Sequence, residues 1–153
     1  MVFPDSLKDR IKYLFWRLYT PFHPFFRDLS LRVGLVSAKA KAERFGARQR
    51  FLIGTIAPTE TVESVVRHLV SHGFYNHFVA WEDDGEVVSL RLTKSFSHQY
   101  HVRIFEDGEV RGHFEYTPEC YPMKHYYERE CFEARQEEFL EILGSKVIPA
   151  SAS

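Results

Sequence analysis

Gln99-Tyr100-His101-Val102-Arg103-Ile104-Phe105-Glu106-Asp107-Gly108-Glu109-Val110-Arg111-Gly112-His113-Phe114-Glu115-Tyr116 alternates apolar and polar side chains on both sides of one Asp-Gly pair. Side chains alternate faces along a strand, and glycine accepts the positive φ that tight turns demand, so the segment reads as a β-hairpin. A three-residue loop, Glu106-Asp107-Gly108, pairs Phe105 with Glu109, Arg103 with Arg111 and His101 with His113. It gathers Tyr100, Val102, Ile104, Val110, Gly112, Phe114 and Tyr116 on one face. A two-residue loop would mix Arg111 and His113 with Val102 and Ile104. Because a one-residue slip exchanges the faces, the apolar pattern selects the longer loop.

A second Asp-Gly turn precedes it. Asp83-Asp84-Gly85 joins a strand over about Asn76–Glu82 to one over Glu86–Thr93, placing Phe78, Ala80, Val88, Leu90 and Leu92 with the apolar face. Upstream, Phe51 to Ile56 reads as a strand. Thr59 or Thr61 then opens a helix whose Val62, Val65, Val66, Leu69 and Val70 form one stripe, and Gly73 ends it. A last helix over about Tyr126 to Leu143 buries Cys131, Phe132, Phe139 and Leu143, with a frayed tail from Pro149. The order from Phe51 is β-α-β-β-β-β-α, which argues for an α+β fold: an antiparallel sheet of about five strands with helices on one face.

Before this lie one or two N-terminal helices. Ser6 to Tyr19 carries Leu7, Ile11, Leu14, Phe15 and Leu18 at helical spacing, Pro21 and Pro24 break it, and Ala38 to Phe45 suggests a short second helix. Seven aromatics between Tyr13 and Phe26 are expected in the core. Residues 1–50 form a basic, aromatic-rich segment and 51–148 the sheet unit, the two folding as one cooperative domain of ordinary size.

With 153 residues, 44% hydrophobic and 27% charged, collagen-like and disordered classes are excluded. The longest uncharged apolar stretch, Phe51 to Thr59, falls well short of the ~20 residues of a spanning helix. Two cysteines make no disulfide framework, and the first residues do not read as a signal peptide, so a cytoplasmic location is expected. Charge is divided: eleven basic and four acidic side chains before Phe51, nine and seventeen from there on. The basic third suits an anionic partner, although self-complementation with the acidic remainder is the simpler account.

The polar sheet face holds the candidate chemistry: His77, Val79, Trp81, Val87, Ser89, Arg91, Gln99, His101, Arg103, Phe105, Arg111, His113 and Glu115. Arg91, Arg103 and Arg111 with the rings of Trp81 and Phe105 resemble the mixture with which open sheets take single-stranded nucleic acid, so a polyanion-binding module is the first functional expectation. Facing arginines repel unless a carboxylate, an anion or a ring intervenes. The alternative is that the N-terminal segment covers this face while Arg103 and Arg111 pair with Glu115 and Glu109. A second function would use His101, His113 and Glu115 as a zinc site of a metal-dependent hydrolase, though two ordinary polar-face histidines need less. A third is a structural homo-oligomer.

Other candidates weigh less. Cys120, His125 and Cys131 have no Cys-x-x-Cys spacing, no glycine loop cradles phosphate, and His68 and His72 read as surface. A membrane-surface role for the first helix is opposed by Asp5 and Asp9 and by the core's need for its aromatics.

Overall fold

The computed structural model describes residues 7–22, 25, 29, 51–77, 83–120 and 133–150. Helix α1 (Leu7–Tyr19) runs into a 3-10 turn (Thr20–Phe22). Strand β1 (Leu52–Ile56), helix α2 (Val62–Ser71) and strands β2 (Tyr75–Asn76), β3 (Glu86–Thr93), β4 (His98–Phe105) and β5 (Glu109–Tyr116) follow. Helix α3 (Gln136–Leu143) and strand β6 (Val147–Pro149) complete the order. The six strands form one sheet, β2-β3-β4-β5-β1-β6, antiparallel throughout. This is the expected α+β class.

The β4–β5 hairpin has the expected register, with Arg103 opposite Arg111 and His101 opposite His113. Gly108 takes φ +83 in its turn. The apolar face packs under α2 and α3: Leu90, Tyr100, Val102, Ile104, Val110 and Phe114 meet Val65 and Leu69 of α2 and Phe139 and Leu143 of α3. Thr61 begins α2 through a reciprocal cap, its hydroxyl accepting from the Ser64 amide while Ser64 Oγ accepts from the Thr61 amide. His68 is not a plain surface residue; its Nε2 donates to the Ile142 carbonyl at 2.7 Å and ties α2 to α3.

Four expectations change. A sixth strand runs up to Pro149: Val147 and Ile148 pair with Ile56 and Thr55, and Pro149 is tolerated because β6 is an edge, while residues 151–153 lie outside the described residues. The last helix starts at Gln136. Before it, Glu133 exchanges both backbone hydrogen bonds with Phe114, and Arg135 takes φ +42, so the chain there is not helical. Strand β2 pairs Asn76 with Leu90, where the three-residue Asp83-Asp84-Gly85 loop would have paired it with Leu92. A two-residue offset leaves the faces unchanged.

The fourth concerns α1. Trp16 is buried, and Tyr13 and Tyr19 are half-buried, but Phe15, Phe22 and Phe25 are exposed, and among the described residues the core cluster under the sheet takes nothing from α1. The aromatics of the N-terminal segment are therefore not all core. The expected helix over 38–45, the strand residues 78–82 with Trp81, and His125, Cys131 and Phe132 lie outside the described residues.

Candidate metal centre on the polar sheet face

Most of the described residues on the face opposite the helices are buried, although Val87 is exposed. His77, Arg91, Gln99, His101, Arg103, Phe105, Arg111, His113 and Glu115 are all less than a tenth exposed, so it is not the open platform that the alternation suggested. Each arginine faces a carboxylate. Arg103 pairs with Asp83 and, at 2.6 Å, with Glu86; Arg111 pairs with Glu109 at 2.6 Å and Arg91 with Glu119 at 2.6 Å. The pairing of Arg111 with Glu109 is as expected, whereas Arg103 reaches β3 and its turn instead of Glu115. A bulge between Glu86 and Val88 changes the register where Glu86 meets Arg103. The ring of Phe105 lies between both cations, 5.2 Å from the Arg103 guanidinium carbon and 5.9 Å from that of Arg111. Carboxylates and a ring thus relieve the facing arginines together.

Glu115 is the hub of an imidazole cluster. Its Oε1 lies 3.7 Å from His77 Nε2 and 3.6 Å from His101 Nδ1, and its Oε2 accepts from His113 Nε2 at 3.1 Å. Adjacent rings meet edge to face, His77 with His101 at 4.5 Å and His101 with His113 at 4.9 Å between centroids. Gln99 donates to Glu115 Oε1 at 2.7 Å and touches His77 Nε2 at 3.3 Å, while its own oxygen accepts from Arg91. Ser89 Oγ sits 2.8 Å from His101 Nε2, leaving the Nδ1 side of that ring turned to Glu115.

No known protein family, curated protein or solved structure matches this chain. Geometry alone carries the functional reading.

Ligand atoms of His77, His101 and Glu115 lie within 4.8 Å of one another, all three residues buried. The two imidazole-to-carboxylate separations are too long for hydrogen bonds. They approach the edge of a tetrahedron drawn around a metal with ordinary zinc bonds, roughly 3.3–3.6 Å. Burial pushes the pKa of His77 down and that of His101 well down, against the opposing pull of Glu115. Both shifts favour the neutral imidazole, the form that ligates metal.

The expected set His101, His113 and Glu115 is brought together, with His113 on the far carboxylate oxygen and His77 on the near one. His77 was visible on the polar face but not as a ligand. Its place depends on the β2–β3 register, which sets the small Ser89 opposite it, the His77 amide donating to the Ser89 carbonyl at 3.0 Å. Of the expected stacking pair, Phe105 is wholly buried, and Trp81 lies outside the described residues.

Proposed function

We propose that this chain is a metal-dependent protein of hydrolase type, with His77, His101 and Glu115 as the metal ligands. The observation that supports it is the convergence of two imidazoles and one carboxylate oxygen in a buried site, with His101 oriented from behind by Ser89 and Glu115 by His113. Three protein ligands match the zinc sites that keep a position for water, unlike the four-ligand structural sites. A cation held there would supply an acidified water and Lewis-acid polarisation of an ester or phosphoester oxygen. Ser89 and His113 act as the outer partners that fix ring and carboxylate orientation. Gln99, which bridges Glu115 and His77, would have to give up these contacts for a cation to be held by the three ligands.

Purified protein incubated with zinc and desalted is expected to keep about one equivalent by elemental analysis. The double variant His77→Ala, His101→Ala should keep none, and hydrolysis of chromogenic phosphoesters should disappear with chelator. Wild-type protein that retains no stoichiometric zinc after reconstitution removes the proposal.

A polyanion site built on Arg91, Arg103 and Arg111 draws less support, because each guanidinium is already buried against a carboxylate. Labelled single-stranded oligonucleotides are expected to show no saturable binding at physiological salt. Binding whose log–log salt slope is about −0.7 per phosphate contact, and flatter in Arg111→Ala, would reverse that preference.

A further inference from the structure

Helix α1 is mounted with its apolar side outward. At about 100° per residue, Leu7, Ile11, Leu14, Phe15 and Leu18 share an arc of roughly 100°. These five are 75%, 61%, 57%, 69% and 65% exposed. The opposite side, Asp9, Lys12, Tyr13, Trp16 and Tyr19, is the one turned to the protein. Lys12 reaches Cys120 Sγ at 3.6 Å, and the ring of Tyr13 meets that of Phe96 edge-on at 6.3 Å. Burial thus runs opposite to what an amphipathic helix on a core requires, since such a helix turns its apolar stripe inward. Phe22, 60% exposed, continues the apolar surface beyond the helix.

Charge identifies the occupant. The exposed Lys8 borders the arc on the Phe15 side, and the exposed Arg10 and Arg17 border it on the Leu14 side. The helix's one acid, Asp9, is half-buried on the inner side, 4.0 Å from Lys12. A second copy of α1 laid on this arc would set the three cations against three more with no acid on the described outer side of α1 to pair them. An anionic bilayer surface offers apolar depth under the arc and negative headgroups beside both rims. No described helix is long and apolar enough to cross a membrane, so α1 would lie in the interface plane.

We propose that α1 docks this domain onto an anionic lipid surface, with Leu7, Ile11, Leu14, Phe15 and Leu18 entering the headgroup boundary and Lys8, Arg10 and Arg17 holding lipid phosphates and carboxylates. The objection from Asp9 lapses because Asp9 faces inward, Asp5 lies outside the described residues, and among the described residues the sheet's core cluster takes no side chain from the exposed arc.

Co-sedimentation with vesicles of phosphatidylcholine alone and of equal parts phosphatidylcholine and phosphatidylserine tests this. Wild type should pellet with the anionic vesicles, and salt should release it. The triple variant Lys8→Ala, Arg10→Ala, Arg17→Ala should bind on the order of a hundredfold more weakly. Leu14→Asp with Leu18→Asp should stay in the supernatant while its circular dichroism and melt match wild type, because both side chains are exposed. Wild type that stays in the supernatant with anionic vesicles at low salt, or pellets equally with neutral ones, overturns the proposal. So does a dimer in sedimentation velocity that Leu14→Asp dissociates, which would make a second copy the occupant.

Discussion

Gly54→Ala is expected to cost at least about 3 kcal/mol of stability and to lower the melting temperature by roughly 10 °C. A Cβ at Gly54 would overlap the backbone carbonyl oxygen of Ile148 and lie 2.8 Å from Val147 Cγ1. A carbonyl in a sheet cannot swing aside as a side-chain end can, so β1 and β6 must separate. That separation also strains the Ala150 amide bond to the Ile53 carbonyl, 2.9 Å long, and with it the closure of the sheet over α3. Gly108 supplies the control. Its φ of +83 is strained for any other residue, yet a Cβ there makes only ordinary contacts, with Thr55 Cγ2 at 3.6 Å and Ile56 Cβ at 4.0 Å. Gly108→Ala should therefore cost about 1–2 kcal/mol, from backbone conformation alone. Urea denaturation of both variants reads the difference, and equal losses would show that the close approach of β6 does not matter.

How far the sequence foretold this follows from how many residues carry each signal. The 98–116 hairpin has eight residues per strand and a turn glycine, and a wrong loop length would have put arginine and histidine among valine and isoleucine. Helix α2 had a cap, a five-residue stripe and a stop. Strand β6 has three residues, one of them proline, too few to display a period of two. The β2–β3 register escaped because a shift of two residues leaves every side chain on its face, and the face was all that the alternation could specify. The same offset kept His77 from being read as a neighbour of His101.

The candidate site divides along the same line. That His101, His113 and Glu115 share a surface followed from register alone. That Glu115 serves imidazoles rather than Arg103 depended on the bulge at Glu86/Val88, an irregularity that no alternation announces. Helix α1 was legible as a helix and misread in orientation, since its apolar arc was assumed to face the core. The arc is real; its partner lies elsewhere.

Zinc and the Glu115 carboxylate should be separable by two substitutions at one position. Glu115 is 1% exposed and accepts hydrogen bonds from Gln99 and His113. Glu115→Ala strands both buried donors, each at about 1–3 kcal/mol, so a total loss of ~3–5 kcal/mol is expected and the variant should melt far below wild type. Glu115→Gln keeps the volume and one acceptor oxygen, so the fold should persist with a loss of about 1 kcal/mol. It removes the negative charge that two neutral imidazoles need beside them to hold a dication. Its zinc affinity should fall beyond the roughly 100-fold that loss of a supporting partner costs. A ligand at a hundred times its dissociation constant stabilises the folded state by about 2.7 kcal/mol, so excess zinc should raise the wild-type melt and leave that of Glu115→Gln unmoved. Melts of the three proteins with and without zinc measure both effects at once. If zinc stabilises Glu115→Gln as much as wild type, the carboxylate is no ligand. Glu115 then serves only to satisfy Gln99 and the imidazoles in a structural network, and the metal-dependent reading goes with it.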